Sequence, residues 1–330
     1  MSPGSSGGVL MIAVLLAAYQ GGPCLEAQLD SILAQTVPNI RIIISHNGSD
    51  DCTRQVLEQY KKYYPRQILL RPRVKEGRFR DREPFIPASA MNFFWLMAQT
   101  DADYVLLSNQ DDVWDSLKVK KLLKKMKETE RPGHPALVYS DMEVVDEELR
   151  QINPSFFSYS RLNPGPGTFS RLLTENTITG GSMMMNRALL HLARQIPHAC
   201  FMHDWWIALC ASCFGDISCV RESLSLYRLH DACLSGIPTK GSPEELLARD
   251  EQTAYENYRR IFRQAAAFGK QYQKQMKPED RAALRAFLSL PGQTPSQRLR
   301  TIAAYRLFKS SWIGTVGQCV TIPVTPGTNF

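Results

Sequence analysis

No stretch of this chain is apolar for long enough to cross a bilayer. The strongest candidate, Val9–Tyr19 (VLMIAVLLAAY), falls well short of the ~20 residues that a spanning helix needs. It reads instead as a buried strand. The first ten residues, MSPGSSGGVL, hold no Lys or Arg, so they do not make the basic start of a secretory signal. There is no G-x-G-x-x-G after the first strand and no Walker Gly-Lys-Ser/Thr, which removes support for a dinucleotide site or a P-loop. No internal repeat occurs. The cysteines at positions 24, 52, 200, 210, 213, 219, 233 and 319 lack the spacing of a disulfide framework and suit a reducing cytoplasm. Cys210 and Cys213 form a C-x-x-C without a second pair at zinc spacing, so a buried helix face explains them better than metal or redox chemistry. Acidic residues are also missing from Arg281 onward.

What is present is ordinary for a globular protein: 44% hydrophobic and 22% charged residues in 330, with 39 basic against 32 acidic. That length buries a large core and suits one large domain with an appendage. The net charge of +7 is not organised with stacking aromatics in a groove motif, so no nucleic-acid partner is expected.

The first third alternates strand and helix. MIAVLLAAY is a strand, followed by the turn YQGGP and by CLEAQLDSILAQT, with Leu25, Leu29, Ile32 and Leu33 at helical spacing. IRIIIS, QILL, DYVLLS and ALVYSD read as further strands. TRQVLEQYKKYY, ASAMNFFWLMAQT and LKVKKLLKKMKETE read as helices. This order predicts a doubly wound, mostly parallel sheet, with sites at the carboxyl ends of its strands. Three polar turns fall there: Tyr19–Gly22, His46–Asp51 and Asn109–Asp112. Arg78, Arg80 and Arg82 read as a solvated basic loop. NPSFFSYSRLNPGPGTFS reads as a long surface loop, ISCV with LSLYRLH as a closing hairpin, and the chain from about Ser242 as helical and polar.

Asp111 and Asp112 stand side by side where a strand ends. Adjacent carboxylates repel and lose hydration when buried, and a cation relieves both costs. A solvated turn with Asp115 as a helix N-cap is the other explanation. Asp204, before Trp205 and Trp206, is either a positioned base or an N-cap beside two core tryptophans.

Six segments in order resemble glycosyltransferase family 2, the inverting GT-A enzymes, and within it the bacterial rhamnosyltransferase-like branch. They are IAVLLAAYQGGPCLEAQLDSILAQT, IIISHNGSDDCT, AMNFFWLM with DYVLLSNQDDVWDSLKVKK, TGGSMMMNRALL, HDWWIALCASCFG and YRLHDACLSG, covering roughly Ile12 to Gly236. The resemblance implies a GT-A domain over 1–240. Its nucleotide-sugar half is about 9–145 and its acceptor half about 146–240, and a helical, basic extension covers 241–330. Asp204 would be the general base. Asp111, Asp112 and His230 would hold Mg²⁺ or Mn²⁺, with Asp111 the direct ligand. Ala17, Tyr19, His46, Asn47, Asn109, Gln110 and Arg228 would meet the nucleotide sugar. Thr179, Gly180, Gly181, Trp114, His203 and Trp205 would meet the acceptor.

The resemblance further implies an enzyme moving a sugar from dTDP-rhamnose, with a UDP-sugar as the alternative donor. The acceptor would be a glycan or lipid-linked acceptor in bacterial surface-polysaccharide synthesis. The chain departs from the pattern at His46, Asn47 and Asn109, where the family carries acids, and at Cys52. A catalytically degenerate binding or scaffold protein is therefore the alternative. The tail mixes Arg and Lys with Tyr, Phe and Trp. That composition suits peripheral contact with the inner face of the cell membrane, and the expected location is cytoplasmic.

Overall fold

The computed structural model describes residues 10–22, 24–46, 52–71, 86–165, 167–195, 197, 199–229 and 251–322. Asn47, His230 and the Arg78–Arg82 cluster lie outside the described residues.

Strand β1 (Ile12–Ala18), helix α1 (Cys24–Leu33), β2 (Ile40–His46), α2 (Cys52–Tyr63) and β3 (Ile68–Arg71) come first. Then follow α3 (Ala88–Met97), β4 (Tyr104–Ser108), the short β5 (Val113–Trp114), α4 (Lys118–Thr129) and β6 (Ala136–Val145). Next are β7 (Gln151–Asn153), α5 (Phe156–Tyr159), α6 (Phe169–Thr174), β8 (Met183–Asn186), α7 (Arg187–Ala193), α8 (His203–Phe214) and β9 (Asp216–Arg228). Four helices close the described chain: α9 (Glu251–Tyr272), α10 (Pro278–Ser289), α11 (Pro295–Tyr305) and α12 (Trp312–Thr321).

The strands form one sheet in the order β3-β2-β1-β4-β8-β6-β9-β5, with β7 on β6. The β1–β2, β1–β4, β2–β3 and β6–β9 pairs are parallel. β8 runs antiparallel to both neighbours, β4 and β6. Direction therefore reverses beside β4, where Asp111 and Asp112 leave the sheet.

Side chains alternate between two layers, as the two-residue period of a strand requires. Ile12, Val14, Leu16 and Ala18 pack under α1 and α4 with Leu25, Leu29, Val119 and Leu122. Ala13 and Leu15 face the other layer, where α3, α7 and α8 lie. That second core runs without a break into the C-terminal helices through Phe262, Phe268, Tyr272, Phe287 and Ile302. Cys210 and Cys213 are buried in it, and burial pushes both thiols up, which keeps them protonated.

Two sequence expectations are corrected. ISCV and LSLYRLH are not two arms of a hairpin, because Asp216–Arg228 is one 13-residue strand. It pairs parallel to β6 with register shifts at Ser140/Asp141 and Asp141/Glu143, and those irregularities break the alternation in sequence. The Pro- and Gly-rich stretch after Asn153 is no open loop either. Phe156 and Phe157 are buried. Asp141 accepts hydrogen bonds from Ser155 Oγ at 2.5 Å and from the Phe157 N–H at 3.1 Å.

The C-terminal helices are tied together by one buried guanidinium. Arg298 Nε donates to the Leu290 carbonyl at 2.9 Å, and Nη1 donates to Cys319 and Ile322 at 3.0 and 2.7 Å. Such charge-assisted bonds are stronger than neutral ones, and removing the donor leaves buried carbonyls without partners. Arg298→Met is expected to lower unfolding free energy by about 3 kcal/mol, read from the urea midpoint. An unchanged midpoint would show that the carbonyls find water instead.

Candidate active site

Parallel registry aligns the carboxyl ends of β1, β2 and β4. Ala18 pairs with His46, and Leu16 with Ser108. The loops after β1 and β4 are then joined by one side chain. Gln110 Oε1 accepts the Tyr19 N–H and its Nε2 donates to the Tyr19 carbonyl, both at 2.7 Å. Below them, Gln28 Nε2 donates to Ser108 Oγ at 2.6 Å, and the Gly21 N–H donates to Thr53 Oγ1 at 2.9 Å. The Tyr19 ring stays 56% exposed, where a planar base can stack. Ala17 and His46 are half-buried at the same edge.

Asp111 is half-buried and Asp112 buried. Asn109 Nδ2 donates to Asp112 Oδ2 at 2.9 Å. Lys118 is fully buried. Its ammonium donates to the Gly181 carbonyl at 2.6 Å and to Ser225 Oγ at 3.3 Å, and sits 4.1 Å from the centre of the Trp114 ring. Burial pushes the Asp112 carboxyl up and the Lys118 ammonium down, and their mutual attraction opposes both shifts. Arg228 reaches the same loop from β9. Its Nε donates to the Asp111 carbonyl at 2.9 Å and its guanidinium also donates to the Glu147 carbonyl.

The Gly-Gly turn stands against the paired-Asp loop. Gly180–Ser182 is a single 3₁₀ turn, closed by Ser182 N–H to the Thr179 carbonyl at 3.1 Å. A Cβ on Gly181 would lie 2.9 Å from Asp112 Oδ2, and one on Gly180 would lie 3.1 Å from His203 Nε2. The Gly180 N–H donates to Asp204 Oδ2 at 3.1 Å. Asp204 Oδ1 accepts the Trp205 N–H at 2.6 Å in the first turn of α8. Burial raises the Asp204 carboxyl to about 6, against the lowering effect of those two N–H groups. His203 is stacked on Phe93 with ring centres 4.1 Å apart, and burial lowers it to about 3, so its ring is neutral.

These placements correct several expected roles. Trp114 is 4% exposed and packs in the α1–α4 core, so it is not an acceptor contact. Trp205 is 5% exposed, and its indole N–H donates to the Leu172 carbonyl at 2.5 Å. Its ring meets Phe201, so it has no free face for a sugar. Trp206 is fully buried among Phe268 and Tyr272. Asn109, Gln110 and Arg228, whatever else they meet, hold the loops in place through bonds to Asp112, Tyr19 and the Asp111 and Glu147 carbonyls. Asp115 is not the N-cap, which is Leu117. It accepts the Leu117 N–H at 2.8 Å instead.

Lys118 and Phe93 were missed. Lys118 is detectable on a helical wheel, where it shares a face with Val119, Leu122 and Met126. Nothing in the sequence marks Phe93 as the stacking partner of His203.

The described residues hold no group of three or more His, Cys, Asp or Glu arranged to enclose a metal ion. The chain is similar to several known proteins. It is 32% identical over 108 residues to a dTDP-rhamnosyl transferase, RfbG, of Shigella flexneri. That match covers 32% of this chain, and the chain spans only 34% of that relative. Its fold is similar to S. aureus TarS 1–349 in complex with UDP-GlcNAc (TM-score 0.54, 14% identity, 89% of this chain and 73% of that one). It is also similar to the mannosyltransferase PcManGT of Pyrobaculum calidifontis in complex with GDP-Man and Mn²⁺ (TM-score 0.55, 15% identity, 89% and 73%). The family model for glycosyl transferase family 2 matches residues 13–192. With a GT-A sheet and a Gly-Gly turn set against its paired-Asp loop, the chain belongs to glycosyl transferase family 2.

Proposed function

We propose that this protein is an inverting, metal-dependent transferase that moves a rhamnose-like sugar from a nucleoside diphosphate to a glycan or lipid-linked acceptor in bacterial cell-surface polysaccharide synthesis. One observation carries the reading. The two-glycine turn has Asp112 against one residue and Asp204 bonded to the other. A single rigid element thus links the end that would hold the diphosphate to the end that would hold the acceptor hydroxyl. The partial similarity to a dTDP-rhamnosyl transferase favours the sugar, with a UDP-sugar as the alternative donor.

Each residue then has a task. The exposed Tyr19 ring stacks on the base. Asp204, ionised above about pH 6, takes the proton from the acceptor hydroxyl as it attacks the anomeric carbon. The Gly180 N–H fixes the carboxylate that does so. Attack opposite the leaving diphosphate inverts the configuration. His203, neutral and walled by Phe93, keeps water from one side of the base.

The donors suit Mg²⁺ or Mn²⁺, which take one or two carboxylates and complete their shell with phosphate and water. Asp111 would be the direct ligand, because it is half-buried, while Asp112 is buried and its Oδ2 is engaged by Asn109. His230 remains a candidate on sequence grounds. When bound, the ion offsets charge on the leaving diphosphate. The departure at Asn109 does not favour a degenerate binding protein, because an amide can donate to Asp112 and a third carboxylate could not.

Two outcomes are expected. Asp204→Asn keeps the size and can still accept one of the two N–H groups, so nucleotide-sugar affinity by calorimetry should persist. Sugar transfer by mass spectrometry should fall by about 10²–10⁴-fold. The parent rate should rise with pH through about 6, and the variant should lose that limb. The sign for stability is opposite. A carboxyl raised when folded binds its proton more tightly in the native state, so stability falls as pH climbs from about 4 to about 6. The variant's melting temperature should fall less over that range, and normal transfer would place the base elsewhere. Separately, Asp111→Asn should lower turnover by about 10²-fold or more, and EDTA should abolish the parent's activity until Mn²⁺ is restored. Full activity in both tests would reduce the paired-Asp loop to a structural turn.

A further inference from the structure

Helix α12 (Trp312–Thr321) is amphipathic with its faces reversed. Thr315, Gln318 and Cys319 point inward and are buried, while Trp312, Ile313 and Val316 are 75%, 66% and 48% exposed. Two inward polar groups are bonded to backbone: Gln318 Nε2 donates to the Leu307 carbonyl at 2.9 Å, and Thr315 Oγ1 donates to the Ser311 carbonyl at 2.9 Å. Among the described residues nothing covers the outward apolar groups. Five of the thirteen exposed large hydrophobics among the described residues fall between Tyr305 and Val316. Scattered exposed apolar residues are normal, but such a concentration marks a contact surface.

The orientation of this face is fixed. Arg298 holds the carbonyls of Cys319 and Ile322. Just before the helix, Glu175 Oε2 accepts the Ser310 N–H at 2.8 Å, and Arg171 donates to Ser310 Oγ at 2.8 Å. A swinging tail would need no such anchors. The same segment carries exposed Arg300 and Arg306, and no acidic residue occurs from Arg281 onward. No described helix is long and apolar enough to cross a membrane.

We propose that this face docks in the interface of an anionic phospholipid bilayer. Trp312, Ile313 and Val316 enter the headgroup–acyl boundary, and Arg300 and Arg306 meet the lipid phosphates. Tryptophan suits that depth because its ring is apolar and its N–H can reach water. A second copy of this chain fits less well, since a two-fold contact sets a surface against itself and the segment from Arg281 onward that forms this one has cations without anions. The inference stands on the surface alone and does not depend on the transfer reaction.

The test uses the full chain and two kinds of vesicle, phosphatidylglycerol mixed with phosphatidylcholine, and phosphatidylcholine alone. Co-sedimentation with the anionic vesicles is expected, weakening as salt screens the arginines. Trp312→Ser combined with Ile313→Ser should weaken it by about tenfold or more, with melting temperature and donor affinity unchanged, because both side chains are exposed. Arg300→Gln with Arg306→Gln should lower binding to the anionic vesicles and leave the small phosphatidylcholine binding as it was. Equal sedimentation of parent and serine variant would overturn the proposal. So would a parent that binds neither vesicle, or one that light scattering shows to be a dimer dissociated by the serine changes.

Discussion

The ammonium of Lys118 is enclosed by three segments far apart in sequence: the paired-Asp loop, the Gly-Gly turn and strand β9. Desolvating a lone carboxylate costs several kcal/mol even after relaxation; burial and the neighbouring Asp111 charge push the Asp112 carboxyl up, and the Lys118 charge opposes that rise. The lysine gives back part of the cost to both groups. Its bond to the Gly181 carbonyl then fixes the height of the turn on which Gly180 presents its N–H to Asp204. One buried cation thereby bears on both the Asp112 carboxyl and the turn that bonds Asp204.

The sheet explains why the parts meet. Parallel strands β1, β2 and β4 deliver three loops to a single edge, as open α/β sheets do. The antiparallel β8 enters from the other direction, and the glycine turn immediately before it arrives at that same edge. The tight approach depends on the lack of side chains. A methyl group at Gly181 would meet the Asp112 oxygen at 2.9 Å, so any larger residue there would have to push the acid aside.

Much of this was legible in the residues. Apolar runs such as IAVLLAA and IRIIIS, with helical spacing between them, mark the doubly wound half because local pattern and burial agree there. The 13-residue β9 was read as two strands because its register shifts against β6 disrupt the two-residue period. The tryptophans misled for another reason. Aromatics beside acids suit a sugar site and a core equally well, and only the hydrogen bond from Trp205 to Leu172 and the packing of Trp114 decide between them. Lys118 was hidden by its neighbours. In a helix with five other lysines, charge alone does not reveal the one that points inward.

The Arg298 clamp also bears on how the chain matures. The guanidinium and its last partner, the Ile322 carbonyl, are 24 positions apart, and a cation is not buried without its acceptors in place. During vectorial synthesis Arg298 therefore leaves the ribosome hydrated and waits. α11 cannot settle until α12 has emerged, so the two helices close together as a late cooperative unit, α11 against α10 and α12 against α11.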